Sequence, residues 1–297
     1  MSDIQIIKPN WPAPRRVQAA FTQRAGGLSV PPFESLNLGA HVGDSSDAVA
    51  ENRRRVRAHL QLPAEPSWLQ QVHGNAVADL DAVADERADA SRLDSSAPDA
   101  SRADAAITRR RDRVCVIQVA DCIPVLFAAR DGSAVAAAHA GWRGLAGGVL
   151  EATVLALRHR AGVGPDGLCA WLGPGIGQRH FEVGDEVRAD FLARVDGRAA
   201  AAGADADVSA DASADASADA CADPASPLHL ATAAAFERNS RGRWQCDLYA
   251  LARLRLFALG VRDVAGGELC TYSDTERFFS FRRDGRCGRM AALVWLG

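Results

Sequence analysis

Apolar positions along the chain fall into short runs separated by polar and small residues. Val114-Cys115-Val116-Ile117-Gln118-Val119 is rich in β-branched residues and reads as a strand. Ile123–Ala129, Leu168–Leu172 and Met290–Leu296 read the same way, as do the alanine-rich Ala134–Ala138 and the short Val261–Val264. Elsewhere the spacing turns helical: Asp47–Leu60, Leu145–Arg158, Asp185–Arg194 and Asp247–Leu259. In the second of these, Leu145, Val149, Leu150, Val154 and Leu157 form one apolar face. In the last, Asp247 can cap the start, Leu248, Leu251, Leu254 and Leu259 supply the stripe, and Gly260 stops it. Strands and helices mix without a strict βαβ rhythm. That predicts an α+β fold of mixed β-sheets packed together with flanking helices, an α/β/β/α layered sandwich.

Two stretches break the pattern. From about residue 196 to 226 the chain reads as a near-repeat of Ala, Asp and Ser, with too few large apolar side chains to offset its ordering entropy. It is expected to be an exposed insertion in a single domain spanning 1–297. A weaker version of the same composition, Asp79–Asp104, is expected to form another long surface loop.

Composition narrows the chemistry. Hydrophobic residues make up 48% and charged residues 24%, enough for a packed core. The net charge of −3 gives no reason to expect a nucleic-acid partner. No apolar run reaches membrane-spanning length and the first residues lack a secretory pattern, so a soluble cytoplasmic protein is expected. Lys8 is the only lysine, which excludes a Walker-type phosphate loop and a pyridoxal Schiff base. Seven cysteines, an odd number without a CxxC, argue against a disulfide framework.

Three segments join reactive side chains to the Gly and Pro that shape tight backbone. They are Trp68-Leu69-Gln70-Gln71-Val72-His73-Gly74, Val119-Ala120-Asp121-Cys122-Ile123-Pro124-Val125, and Ala138-His139-Ala140-Gly141-Trp142-Arg143-Gly144. Each places a reactive group at the end of an apolar, strand-like run, where sites on sheets gather. His73, Cys122 and His139 lie 49 and 17 residues apart, and such spacing alone does not bring them together.

With these three segments, the chain resembles the YfiH or laccase-domain family, the polyphenol oxidase-like purine nucleoside phosphorylases. The resemblance is carried also by Phe21-Thr22-Gln23-Arg24-Ala25-Gly26-Gly27, Ser35-Leu36-Asn37-Leu38-Gly39, His41-Val42-Gly43-Asp44, Gly173-Pro174-Gly175-Ile176-Gly177 and Phe279-Ser280-Phe281-Arg282-Arg283-Asp284-Gly285. It implies that His73, Cys122 and His139 bind a zinc ion, or Cu(II) in the same site, with one position left open. It further implies phosphorolysis of adenosine, inosine and methylthioadenosine to a free base and a sugar 1-phosphate, with adenosine deaminase activity beside it. Purine nucleosides and inorganic phosphate are then the expected ligands. Arg24, Asn37 and Arg143 are candidate phosphate or ribose contacts, Arg143 because it opens the helix that follows. Phe181 can stack on a base or pack in the core.

Three other readings use the same residues. Cys122 could be the nucleophile of a metal-free amidase editing cell-wall peptide precursors, with His139 or His73 as base and Asp121 orienting it. A single-metal polyphenol oxidase is the second alternative. A multicopper site is excluded, because seven histidines and no His-x-His pair cannot hold four coppers. A non-catalytic binding protein is the third.

Overall fold

The computed structural model describes residues 3–82, 101–195 and 226–297. Its centre is two packed sheets. In the first, strands β1 (Ile6–Ile7), β2 (Val17–Thr22), β13 (Met290–Leu296) and β5 (Val114–Val119) pair antiparallel in that order. The second has the order β12 (Asp263–Gly266), β8 (Leu168–Leu172), β6 (Ile123–Ala129), β7 (Val135–Ala140), β4 (Ala105–Thr108), β3 (Val77–Asp79). Its two outer pairs, β12 with β8 and β3 with β4, are parallel, and its inner pairs antiparallel. A small antiparallel sheet of β10 (Phe236–Arg238), β11 (Trp244–Cys246) and β9 (Glu182–Val183) stands apart from them.

The residue parity of the strands sorts the core into three layers. Phe21, Cys115, Ile117, Met290, Ala292 and Val294 of the first sheet meet Leu126, Ala128, Val135, Ala137 and Trp171 of the second. The other face of the first sheet, with Val114, Val116, Leu293 and Trp295, packs against Val56 of helix α1 (Ser46–Leu60). On the far face of the second sheet, Val125, Phe127, Ala136 and Ala170 pack against three helices. These are α3 (Val149–Ala161), α4 (Asp185–Val195) and α6 (Leu248–Ala258). The layers therefore run helix, sheet, sheet, helix, as the sequence predicts. Strands β5, β6, β7, β8 and β13 are buried on both faces, which is why they appear in the sequence as mostly apolar runs, interrupted only by Gln118 in β5 and His139 in β7.

Several boundaries differ from the sequence reading. The Leu145–Arg158 helix is two helices, α2 (Trp142–Gly147) and α3, divided at Gly148, whose φ of 90° is a left-handed turn that the absent side chain permits. Arg143 is consequently the second residue of α2, after the cap Gly141. The run ending at His73 makes only isolated bridges, at Ser67 and Gln70, and forms no strand. Within the expected Asp79–Asp104 loop, Asp104 is fully buried. Residues 83–100 and most of the 196–226 insertion lie outside the described residues. Ser226 caps α5 (Pro227–Ala234), its side chain accepting from the His229 N–H.

Candidate active site

The site forms where the chain steps from one sheet to the other. β5 belongs to the first sheet and β6 to the second, and Ala120-Asp121-Cys122 makes the crossing. Asp121 takes a φ of 94°, a strained value for a residue with a side chain. Its carboxylate accepts from Thr271 Oγ1 at 2.7 Å and the Arg282 N–H at 2.6 Å, and its carbonyl from the Ile176 N–H at 2.8 Å. Those bonds fix the corner and so aim Cys122.

His139 lies near the end of β7, opposite Pro124 in register, and is buried. His73 arrives on a separate turn with a φ of 62°, and its ring is exposed. One residue ties these two together. Asp104, directly before β4, accepts backbone N–H groups from Val72 (3.1 Å), His73 (2.9 Å) and Gly74 (2.7 Å), and bonds His139 Nδ1 at 2.8 Å. The carboxylate holds the strained turn and orients the buried ring, leaving His139 Nε2 for the site. Burial alone would raise the pKa of Asp104. The hydrogen bonds from His139 and the turn amides outweigh it and keep the carboxyl ionised. Asp104 was hidden in the sequence by its Ala/Asp/Ser-rich surroundings. Asp121, expected to orient a histidine, instead serves Thr271 and Arg282.

The structure brings His73, Cys122 and His139 together. One donor atom from each lies within 4.8 Å of the other two, and the two imidazole centroids are 4.8 Å apart. No other group of three His, Cys or acidic residues among the described residues can hold an ion. Tetrahedral bonds of about 2.0–2.3 Å need donors roughly 3.3–3.8 Å apart, a spacing of the same order as the one seen here. Two imidazoles and a thiolate fit a borderline-soft divalent ion, and the exposed His73 side leaves an approach for a further ligand.

Charge within the trio is coupled. Burial pushes the Cys122 thiol up, but His139 and His73 hold it down at about 6 through charge and hydrogen bonds. Burial disfavours the proton on His139, while Cys122 and Asp104 retain it up to about 9. The metal-free protein therefore carries a thiolate beside an imidazolium at neutral pH. Iodoacetamide labelling of metal-free Cys122 is expected to reach half its plateau near pH 6, rather than near the ~8.5 of an ordinary cysteine. Bound metal is expected to suppress the labelling. An inflection above pH 8 would contradict the pairing.

Gly141 makes room for the cluster. A Cβ there would lie 2.8 Å from Cys122 Sγ and 3.2 Å from His73 Cδ2, although its backbone (φ −69°) suits any residue. Gly141→Ala is expected to leave the melting temperature within a few degrees and to lower metal affinity at least ~10-fold, read by competition with a chromophoric chelator.

The other candidate residues separate into two groups. Asn37 is fully buried and saturated: its amide bonds the Gly39 carbonyl and Asp44, and its oxygen accepts from the Gly39 and Arg289 N–H groups. Arg24 gives its guanidinium to the carbonyls of Glu34 and Thr275 and lies over the Phe279 ring. Both hold loops together. Arg143 is exposed two residues after Gly141, and its guanidinium stacks on Trp142 without a hydrogen-bond acceptor among the described residues. Phe181 packs in the core beneath Arg282.

Comparison with known proteins agrees with this fold. The chain belongs to the family described as multi-copper polyphenol oxidoreductase laccase, matching it over residues 18–223 and 217–297. Among its relatives, it is 48% identical over 98% of both chains to a Pseudomonas aeruginosa protein named purine nucleoside phosphorylase PA4543. It is 43% identical to the purine nucleoside phosphorylase YfiH of Escherichia coli, over 98% of this chain and 99% of that one. The crystal structure of Neisseria meningitidis protein NMB0706 superposes with a TM-score of 0.77, at 39% identity and 98% coverage of both chains. No described helix is long and apolar enough to cross a membrane.

Proposed function

We propose that this chain is a zinc-dependent purine nucleoside phosphorylase acting on adenosine, inosine and methylthioadenosine, with adenosine deamination as a second activity. The observation that carries the reading is the convergence of His73, Cys122 and His139 on one partly open site, in a chain whose relatives bear the phosphorylase name. His73, Cys122 and His139 would hold the zinc ion, which when bound would supply Lewis acidity.

The chain's own residues do the remaining work. Asp104 fixes the ring and tautomer of His139, as carboxylates do behind ligating histidines. Its grip on three amides keeps His73 in place without a strand to carry it. In phosphorolysis a phosphate oxygen bonds C1′ of the sugar as the bond from C1′ to the base breaks, and the base leaves with that electron pair and a proton. The exposed His73 side is the approach for the nucleoside.

Cys122, His139 and Asp104 are also arranged like a thiol nucleophile, its base and an orienting acid. His73 favours the metal reading over the amidase reading. A thiol hydrolase needs one base, whereas here a second imidazole is fixed on strained backbone at donor distance. Zinc-loaded protein given inosine and phosphate is expected to release hypoxanthine and ribose 1-phosphate in equal amounts, with no turnover when phosphate is omitted. Adenosine alone is expected to give inosine. Chelation should stop both reactions, and amidase activity surviving in metal-free protein would overturn the assignment.

A further inference from the structure

Cys122 rests on backbone that belongs to another part of the chain. Residues 173–177, the loop after β8, pack directly against the corner. The Gly173 N–H bonds the Pro124 carbonyl at 2.8 Å, and the Ile176 N–H bonds the Asp121 carbonyl at 2.8 Å. Between them Gly175 is pressed against both neighbours of Cys122. A Cβ there would lie 2.8 Å from Ile123 Cγ1 and 3.1 Å from the Asp121 carbonyl oxygen. Contact this close passes any shift of the loop to the residue between Asp121 and Ile123.

Gly175 faces Cys270 as an isolated parallel bridge. On one side of it the Thr271 N–H bonds the Gly175 carbonyl directly, at 2.9 Å. On the other side the ladder runs through a side chain. The hydroxyl of Tyr249, in the first turn of α6, accepts the Gly175 N–H at 2.6 Å and donates to the Leu269 carbonyl at 2.7 Å, with the Gly173 carbonyl at 3.1 Å beside it. Two such bonds in series span roughly 4 Å, too far for amide and carbonyl to meet unaided. The phenol oxygen thus spaces the two segments as an ordered water would, but it is fixed to a helix. Tyr249 is buried, and burial raises its pKa, so the O–H keeps its proton and both of its roles at neutral pH.

The same helix fastens the segment that leads to Thr271. One turn after Tyr249, Arg253 donates to the Val264 carbonyl at 2.7 Å and to the Gly266 carbonyl. Gly267, at a φ of 89°, passes between the two side chains, where a Cβ would lie 3.2 Å from both Arg253 Nη2 and Tyr249 Cδ1. Four residues further on, the Thr271 hydroxyl reaches the Asp121 carboxylate. Helix α6 is itself seated in the core by Leu248, Leu251, Ala252 and Leu256. The Tyr249 hydroxyl is therefore the point where a firmly packed helix meets both segments that hold the corner.

We infer that Tyr249 is a positioning residue for the His73–Cys122–His139 site: its hydroxyl sets the spacing between residues 173–177 and Leu269, and through that spacing the placing of Cys122. It acts through the backbone and not on the substrate. The inference rests on the metal reading of the trio. Without the hydroxyl, the Gly175 N–H and the Leu269 carbonyl are left unpaired or draw together, and either change moves the backbone beside the thiol. Phenylalanine at 249 keeps the ring and its packing, so position is lost rather than core.

Zinc affinity of Tyr249→Phe, read by competition with a chromophoric chelator well below the melting temperature, is expected to fall at least ~10-fold. The visible bands of the cobalt(II)-loaded variant should shift as well, because they report the geometry of the donors. Leu251→Ala, in the core on the same helix, should lower the melting temperature at least as much, yet leave zinc affinity within about twofold and the cobalt bands unchanged. A tyrosine that only packs would instead give affinities that follow melting temperature in both variants. A second measurement leaves Tyr249 in place. The chain has two tyrosines, so 3-fluorotyrosine labelling of the wild type gives two fluorine resonances, told apart by Tyr272→Phe. If the hydroxyl favours zinc, zinc acts back on the hydroxyl by linkage, and the Tyr249 resonance should move on loading. Zinc affinity in Tyr249→Phe within about twofold of wild type, an equal loss in Leu251→Ala, or a Tyr249 resonance indifferent to zinc would each overturn the inference. Wild-type protein that takes up no zinc would sink it together with the proposed function. Zinc uptake without phosphorolysis of any nucleoside would sink the proposed function alone.

Discussion

Replacing Cys122 with alanine is expected to lower kcat/KM for both phosphorolysis and deamination by at least ~10³-fold, about 4 kcal/mol of transition-state stabilisation. The reason is in the donor set. Cys122 is the only anionic donor of the trio, and without it two imidazoles face the open position with no thiolate to retain a divalent ion. Zinc per chain, measured by elemental analysis after dialysis, should fall well below one. The neighbouring histidines should change with it: His139 loses the thiolate that favours its proton, so its pKa should drop from about 9. A variant that kept full turnover would show that the reaction needs neither the thiolate nor the ion it holds.

Asp104 is expected to be the most costly residue of the site to remove for folding. Asp104→Ala strands three backbone N–H groups and the Nδ1 of a buried histidine. Breaking one side of a buried charged network costs roughly 3–5 kcal/mol, which corresponds to a melting temperature lower by about 10 °C in a chain of this size. Asp104→Asn keeps the volume but aims an N–H₂ at donors. It should retain more stability and still lose about 10–100-fold in metal affinity. The dependence on pH has a defined sign. The pKa of Asp104 is depressed in the folded protein, so its stabilisation is complete above the ordinary carboxylate range and is lost as pH falls through the folded value. Thermal melts of Asp104→Ala should therefore converge on wild type in acid. A constant gap from pH 7 down to pH 3 would show that the charge is not what stabilises the turn.

The parts of this structure that were legible in the sequence share a physical cause. β5, β6, β8 and β13 are covered on both faces, so no polar residue is required at alternate positions and the apolar runs show plainly. Helix α6 announced itself by a cap, and Asp247 does accept from the Ala250 N–H. Strand β2 gives no clear signal because its positions mix exposed Gln18 with buried Phe21, and β4 gives none because Ala-Ala-Ile-Thr is short and alanine-rich. The division of α2 from α3 turns on one left-handed glycine within an apolar helical stripe. At the site, the three clustered side chains stand beside the Gly and Pro residues that bend the chain, but the groups that hold them do not. Asp104 sat in a stretch that reads as solvated loop. Arg24 and Asn37 are polar residues in resembling motifs, and their hydrogen bonds join loops to one another. Side chains that serve backbone amides leave no periodicity to read.

The corner at Asp121 also has a consequence for biosynthesis. Its carboxylate is gripped by Thr271 and by the Arg282 amide, 150 and 161 positions downstream, and β13 must slot between β2 and β5 before the first sheet closes. A ribosome that has finished His73, Cys122 and His139 has still not made the pieces that aim Cys122. The corner that aims Cys122 can therefore close only after Thr271, Arg282 and β13 have been made, which defers it to a late stage of folding.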